Sequence, residues 1–197
     1  MKQKVVKGLL WKLLENGGAQ GVQFVIAIIL ARLLTPAQYG VVGIITIFIT
    51  IANVVVQSGF STALVQKQKA DKVDFSSVCY FDLFVALVMY GILYAAAPVI
   101  ASFYGIAELE AIVRVLSIVL FPGAVISVQT AYVSRNLEFK GLFLSTLAAS
   151  AASGVISIWM AANGFGVWAM VGQQVSYYFV LMIALFFEVS WKPGFLF

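Results

Sequence analysis

Positively charged residues collect at every second connection between long apolar segments, and this arrangement limits the possible fold more than any other feature. All but two of the 12 lysines and arginines lie at the start, at the end or in alternate connections, namely at Lys2, Lys4, Lys7, Lys12, Lys67, Lys69, Lys72, Arg135, Lys140 and Lys192. The exceptions, Arg32 and Arg114, fall near the other connections. Because Lys and Arg accumulate in cytoplasmic connections, the pattern predicts a polytopic membrane protein with six crossings and both ends in the cytoplasm.

The composition excludes a soluble globule and offers little for catalysis. Hydrophobic residues make up 62% of the chain and charged residues 10%, against about 45–50% and about 25% in soluble domains. The net charge of +4 follows from the cytoplasmic bias of Lys and Arg, so we expect no nucleic acid partner. There is no histidine, and Cys79 is the only cysteine. With no Walker loop, Cys/His cluster or nucleophile elbow, the sequence predicts no catalytic residues, no metal, no cofactor and no enzyme activity.

The apolar segments predict an all-α, six-helix membrane bundle that forms a single lobe over residues 1–197. Thr35, Pro36 and Gln38 form a predicted capping box, so the second helix begins directly after the first. A kink is expected at Pro122 and Gly123 in the fourth helix. We expect the first span to be retained, since no small-residue cleavage site follows it. The predicted helices are about 16–34, 36–66, 76–103, 108–133, 141–163 and 166–187.

Amide side chains recur at helical spacing within these apolar spans. Such a spacing places side chains on one face of a helix. One interpretation is that they line a polar cavity that holds a sugar-rich ligand. The alternative is hydrogen bonding between helices, at about 1 kcal/mol or less per contact. The candidates are Asn16, Gln20 and Gln23 in the first helix, Asn53 and Gln57 in the second, Gln129 in the fourth and Gln173 in the sixth.

Four ionisable residues lie near the ends of predicted spans. Glu15 and Asp82 fall near inner helix ends, and Arg32 and Arg114 near outer ends. All four can extend their charged groups to the membrane surface. The functional alternative is that the acids bind a coupling cation or proton and that the arginines attract phosphate, which a planar guanidinium contacts through two oxygens.

Five stretches, in this order and spacing, resemble one family. They are LARLLTPAQYG at 30–40, SGFSTALVQK at 58–67, APVIASFY at 97–104, SRNLEFK at 134–140 and GFGVWA at 164–169. Together they resemble the Wzx-type polysaccharide flippases, the polysaccharide transporter branch of the multidrug/oligosaccharidyl-lipid/polysaccharide exporter superfamily. The most similar subgroup is that of the colanic and teichuronic acid exporters.

The resemblance implies a transporter that moves undecaprenyl-pyrophosphate-linked oligosaccharide across the bacterial inner membrane, with the arginines drawn to the pyrophosphate. Family members have two six-helix lobes and work by alternating access. This chain resembles the first lobe, so we expect it to pair with a second lobe or with itself. Many relatives carry an acid where this chain has Gln57.

Two other functions stay open. A drug/cation antiporter of the same superfamily needs an acid deep in the membrane, for which Glu15 and Asp82 are available. A membrane glycan polymerase is expected to present a large outer catalytic loop, whereas the outer connections predicted here are minimal.

Overall fold

The computed structural model consists of helices joined by short turns. It describes residues 2–57, 64, 71–136 and 139–189; the side chains of residues 2–10, 12–16 and 72 are not described. Across these ranges there is no strand, which confirms the predicted all-α class. The helices are α1 (Lys2–Leu33), α2 (Pro36–Val56), α3 (Lys72–Tyr104), α4 (Glu108–Leu116), α5 (Leu120–Asn136), α6 (Phe139–Ala162) and α7 (Val167–Glu188).

The number of apolar helices matches a chain that crosses a membrane several times. Five stretches of the described chain are long and apolar enough to span a bilayer, and Gly17–Leu33 is a shorter apolar helix. Helices α4 and α5 form one of the five, Glu108–Asn136. A span needs about 20 apolar residues, so the chain is a multi-pass, all-α membrane bundle.

Two helix boundaries differ from those expected. Helix α1 begins at Lys2, well before the expected start near residue 16, because residues 2–15 contain no proline and mostly residues that favour helices. Helix α2 ends at Val56 and not near residue 66. Gln57 has already left the helical conformation, with φ −89° and ψ 1°, and Ser58 and Gly59, which favour helices weakly, follow it.

The turn between α1 and α2 has the predicted capping box. The backbone N–H of Gln38 donates to Thr35 Oγ1 at 3.4 Å, and the backbone N–H of Thr35 donates to Gln38 Oε1 at 2.8 Å. Pro36 occupies the first turn, where its missing N–H has no intrahelical partner to lose. The Tyr39 hydroxyl also donates to the carbonyl of Ala27 at 3.2 Å. The two helices are therefore held together at this end.

A distortion near Pro122 interrupts the fourth span. Residues Ser117–Val119 form a 3-10 turn between α4 and α5, slightly earlier than the kink expected at Pro122 and Gly123. Pro122 has no N–H to give to the carbonyl of Ile118, and its ring crowds that carbonyl. The Ile118 carbonyl therefore lacks its usual α-helical partner, and the backbone around it adopts the tighter 3-10 conformation.

The helices pack as two groups joined by α7. Helix α1 packs mainly on α6, and α3 packs on α4 and α5, while α7 contacts α6, α5 and α2. Gly154 allows the close approach of α1 to α6, because a Cβ there would overlap the Ile26 side chain. Ser150, Ser153 and Ser157 on the same helix are fully buried, as expected where small residues let helices pack closely.

The connections lie at two opposite ends of the bundle. The turn before α7 meets the turn before α2, since a Cβ on Gly166 would come within 2.6 Å of Gln38 Nε2. At the other end, Arg135 Nη1 donates to the carbonyl of Leu64 at 2.9 Å. Glu188 lies there too, beside Gly141. Alternate connections therefore share an end, as the charge pattern predicts.

Candidate functional site

A cavity of about 320 Å³ lies between α1, α2 and α7. Its size falls at the lower end of the ~300–1,000 Å³ common for ligand pockets. Most of its lining side chains carry an amide or a hydroxyl group, and none of those that the structure describes carries a charge. The lining residues are Gln23, Thr46, Ile49, Thr50, Asn53, Gln173, Gln174, Tyr177 and Tyr178. We call this space the amide cavity.

Helical spacing brings these side chains to one place. In α2, Thr46, Thr50 and Asn53 stand at i, i+4 and i+7 and therefore share a face. In α7, Gln173 and Gln174 each lie four residues before one of the cavity's two tyrosines. The Thr46 hydroxyl donates to the carbonyl of Val42 at 2.7 Å, which leaves its oxygen able to accept a hydrogen bond from a ligand.

A hydrogen bond between two amides joins α1 to α7 across the cavity. Gln173 Nε2 donates to Gln23 Oε1 at 3.0 Å. An amide has two N–H donors and an oxygen with two lone pairs. This hydrogen bond leaves the side-chain amino group of Gln23 and the side-chain oxygen of Gln173 available to bind a ligand.

Asn53 is placed by a glycine on a neighbouring helix. A Cβ on Gly123 would come within 3.0 Å of Asn53 Oδ1 and within 3.7 Å of Tyr178 Cε1. In this position Oδ1 is buried and has no hydrogen-bond partner among the described residues. A buried acceptor without a partner costs about 1–3 kcal/mol. A ligand that supplies a donor to Asn53 would recover part of that free energy.

Three of the other predicted amides lie outside the cavity. Gln20 and Gln57 are exposed on the bundle surface. The side chain of Asn16 lies outside the described residues. Gln129 is fully buried in α5, and within the described part of the chain neither of its amide atoms has a hydrogen-bond partner. Of the predicted amides, the structure brings together Gln23, Asn53 and Gln173.

The two arginines also lie away from the amide cavity. Arg114 Nη1 is 2.8 Å from Glu110 Oε1, and its guanidinium carbon is 4.4 Å from the centre of the Tyr94 ring. Arg32 is exposed near the end of α1.

Of the two candidate acids, the structure describes the side chain of one. Asp82 is fully buried on α3, near Cys79, and does not line the amide cavity. The side chain of Glu15 lies outside the described residues. No group of three His, Cys, Asp or Glu side chains within the described ranges is placed to hold a metal ion.

Residues 29–197 match the family of polysaccharide biosynthesis proteins, which is most of the chain. The chain belongs to this family. Its membership confirms the resemblance to Wzx-type polysaccharide exporters that the five sequence stretches carry.

Two relatives show how much of a family member this chain represents. It is 25% identical to the succinoglycan biosynthesis transport protein ExoT of Rhizobium meliloti, over 98% of this chain and 39% of that protein. It is 27% identical to the teichuronic acid biosynthesis protein TuaB of Bacillus subtilis, over 71% of this chain and 29% of that protein. The chain therefore spans less than half the length of these relatives. No solved structure matches it.

Sequence reasoning missed several residues of the cavity wall in this family member. Thr50 and Thr46 extend the face of Asn53 by one and two turns, and Tyr177 and Tyr178 lie one turn beyond the two glutamines of α7. The signal was the helical spacing from the predicted amides, since Thr50 and Thr46 lie three and seven residues before Asn53 and Tyr177 lies four residues after Gln173. Threonine and tyrosine are common in apolar helices, so residue type alone did not mark them.

Proposed function

We propose that this chain forms one membrane lobe of a polysaccharide exporter, which moves undecaprenyl-pyrophosphate-linked oligosaccharide across the bacterial inner membrane by alternating access. The amide cavity is the observation that carries the proposal. Three helices place amide and hydroxyl groups around a space the size of a ligand pocket, inside a multi-pass membrane bundle. Family membership and a relative named as a transport protein support the same function.

The cavity chemistry suits a glycan better than a lipid tail. Polar groups within a bilayer are costly unless they are paired, and they commonly mark a substrate pathway. Sugars present hydroxyls that both donate and accept hydrogen bonds, which matches the mixed capacity of amides and hydroxyls. The lipid tail would stay in the bilayer.

Polar side chains also lie on the exposed surface of α1 and α2, which supports a second lobe packed against this surface. Thr50, which lines the cavity, is exposed, as are Gln20 and Gln57. In hydrocarbon each unsatisfied polar group costs several kcal/mol. Substrate sites of alternating-access transporters commonly lie between two repeats near the bilayer midplane. A second lobe or a second copy of this chain would cover this polar surface and complete the site.

Asp82 and Glu15 are the proposed sites for a coupling cation or proton. Asp82 supports this role because it is fully buried within a membrane span, where an ionisable group is costly and most often functional. Replacing Asp82 with Asn should remove the dependence of transport on an ion gradient. A variant that keeps this dependence would contradict the role.

Arg32 and Arg114 are the proposed contacts for pyrophosphate. Arg32 is exposed and makes no ion pair with any described residue. Arg114 already pairs with Glu110, so it would have to exchange that partner. Replacing Arg32 with Gln should therefore weaken pyrophosphate binding more than the same change at Arg114.

The proposed orientation places both ends of the chain in the cytoplasm. Cysteines at Gly105 and Gly164 should then react with a membrane-impermeant reagent added outside, and cysteines at Lys69 and Glu138 only from inside. Both glycines have positive φ, 67° and 81°, so a cysteine at exposed Ala107 is a less strained substitute. Lys69 and Glu138 lie outside the described residues, and Lys140, exposed at the start of α6, serves the same purpose. The opposite accessibility would overturn the orientation.

Reconstitution tests the function directly. The purified chain, with any lobe that copurifies, is placed in liposomes, and flipping of a lipid-linked oligosaccharide is measured. Cross-linking fixes the stoichiometry. We expect flipping only by a two-lobe assembly, so flipping by a demonstrated monomer would refute the need for a second wall. A two-lobe assembly that flips no lipid-linked glycan would refute the function.

A further inference from the structure

We propose that a second pocket, where α5, α6 and α7 meet, binds the phosphoethanolamine headgroup of a membrane phospholipid. The pocket has a volume of about 280 Å³ and lies at the end of the bundle where Arg135 contacts Leu64. Its lining residues are Val133, Lys140, Gly141, Leu142, Glu188 and Val189. None of these residues lines the amide cavity, so this inference goes beyond the exporter function and does not depend on it.

Two opposite charges line the pocket. Lys140 and Glu188 both belong to the described part of the chain and both face this space, yet they form no ion pair with each other. A positive and a negative group held apart in one pocket match a ligand that carries both charges. Phosphoethanolamine is such a ligand, because a short two-carbon linker joins its negative phosphate to its positive ammonium group.

Two helix ends add to these charges. Lys140 is the second residue of α6, and Glu188 is the last residue of α7. The first N–H groups of a helix lack intrahelical partners and give its start a partial positive charge, while the last carbonyls give its end a partial negative charge. The phosphate is therefore placed at Lys140 and the start of α6, and the ammonium group at Glu188 and the end of α7.

The depth of the pocket suits a lipid headgroup. Lys140 and Glu188 lie at the ends of two candidate membrane spans, Phe139–Ala162 and Val167–Glu188, and the ends of a span lie near the polar headgroup region of a bilayer. Exposed apolar side chains follow on both helices. Leu144, one turn after Lys140, is 45% exposed, and Phe187, directly before Glu188, is 83% exposed. These side chains are placed to contact the acyl chains of a lipid whose headgroup fills the pocket.

Gly141 keeps the space beside the carboxylate open. A Cβ on Gly141 would come within 3.0 Å of Glu188 Oε2 and within 3.4 Å of Glu188 Cδ. The carboxylate therefore lies against the backbone of α6, and a larger residue at this position would displace it and fill part of the pocket. Glycine within a helix is less favourable than alanine by about 1 kcal/mol, and the room that it gives Glu188 offsets that cost.

The two charges predict which phospholipid binds best. The ammonium group of phosphatidylethanolamine has three N–H donors for a carboxylate, as a lysine ammonium does. The choline of phosphatidylcholine carries methyl groups in their place and cannot donate. Phosphatidylglycerol has no cation, so Glu188 would repel its negative headgroup. The pocket therefore favours phosphatidylethanolamine over both.

Native mass spectrometry of the purified chain tests this preference. The chain in detergent micelles is titrated with phosphatidylethanolamine, phosphatidylcholine or phosphatidylglycerol, all with the same acyl chains. We expect phosphatidylethanolamine to bind at least about threefold more tightly than either of the others. This comparison uses the wild-type chain and needs no variant. Equal binding of phosphatidylethanolamine and phosphatidylcholine, or tightest binding of phosphatidylglycerol, would overturn the proposal.

Matched variants locate the effect. Glu188→Gln should lower the affinity for phosphatidylethanolamine to that for phosphatidylcholine, whereas the control Glu108→Gln makes the same change at the exposed start of α4, at the other end of the bundle, and should alter neither affinity. Lys140→Gln should weaken both lipids by about three- to tenfold, because both carry a phosphate. Gly141→Leu keeps both charges but fills the pocket and should weaken both lipids as well. Equal losses in Glu188→Gln and Glu108→Gln would overturn the assignment of the site.

Discussion

The amide cavity and the packed contact between α3 and α5 are both polar regions within an apolar bundle. In the cavity, three helices surround a space, and the amides of Gln23 and Gln173 pair with each other beside it. Between α3 and α5, side chains pack directly against each other, with the Phe75 and Tyr132 rings 5.4 Å apart. Gln129 on α5, one turn before Tyr132, is fully buried, and its amide atoms have no hydrogen-bond partner within the described chain.

The difference between the two regions lies in what surrounds the polar group. An amide beside a space of about 320 Å³ can meet a ligand, whereas an amide in a close-packed contact meets only its neighbours. Polarity within a membrane helix therefore marks a binding site only when several helices turn polar groups toward one space. The same reasoning predicts opposite consequences for substitutions in the two regions.

The largest expected effect comes from Gln23. Gln23→Leu removes the hydrogen bond to Gln173 and one amide of the cavity lining, so glycan export in the native host should fall by about tenfold or more. Gln20→Leu makes the same change one turn away, at an exposed residue outside the cavity, and serves as the control. Export per inserted protein is the measurement. Equal loss in both variants would remove the distinction between cavity and surface amides.

A smaller effect is expected at Gly123, which lies against the cavity-lining residues Asn53 and Tyr178. In Gly123→Ala the new Cβ lies 3.0 Å from Asn53 Oδ1, so the Asn53 side chain must shift. We expect glycan affinity to change by about three- to fivefold. The control is Gly43→Ala on α2, where a Cβ meets nothing within 4 Å and the substitution favours the helix. An unchanged affinity in Gly123→Ala would show that the position of Asn53 is unimportant.

The sequence predicted the helices and the ends of the bundle better than the site. The helices can be predicted because the distribution of charge and the length of apolar stretches are properties of whole segments. A turn such as the Thr35–Gln38 capping box can be predicted because it depends only on neighbouring residues. Gln23 and Gln173 meet from positions far apart in the chain. That meeting depends on how α1 and α7 are rotated and inclined, which helical spacing within either helix does not determine. Gln129 also lies among apolar residues of a helix, as the cavity amides do. Its sequence therefore does not show that it is fully buried and outside the cavity lining.

The packed region gives the next prediction. Gln129→Leu replaces a buried amide that has no described hydrogen-bond partner by an apolar side chain of similar size. Removing an unsatisfied polar group should raise the free energy of unfolding by about 1 kcal/mol. Transport should stay unchanged. Denaturant unfolding in detergent measures the first effect. Loss of transport with normal stability would instead give Gln129 a functional role and erase the contrast between the two regions.

The smallest expected effect concerns the turn that joins the α1 and α2 walls of the cavity. Thr35→Ala removes the side chain that accepts from the Gln38 N–H and should lower stability by about 1 kcal/mol or less. The control Ser102→Ala removes an exposed hydroxyl that bonds within its own helix, where alanine is favourable. Because Tyr39 still holds α2 to Ala27 of α1, glycan affinity should change by less than about twofold. A fall in affinity of about tenfold would show that this turn, and not the Gln23–Gln173 pair, sets the shape of the cavity.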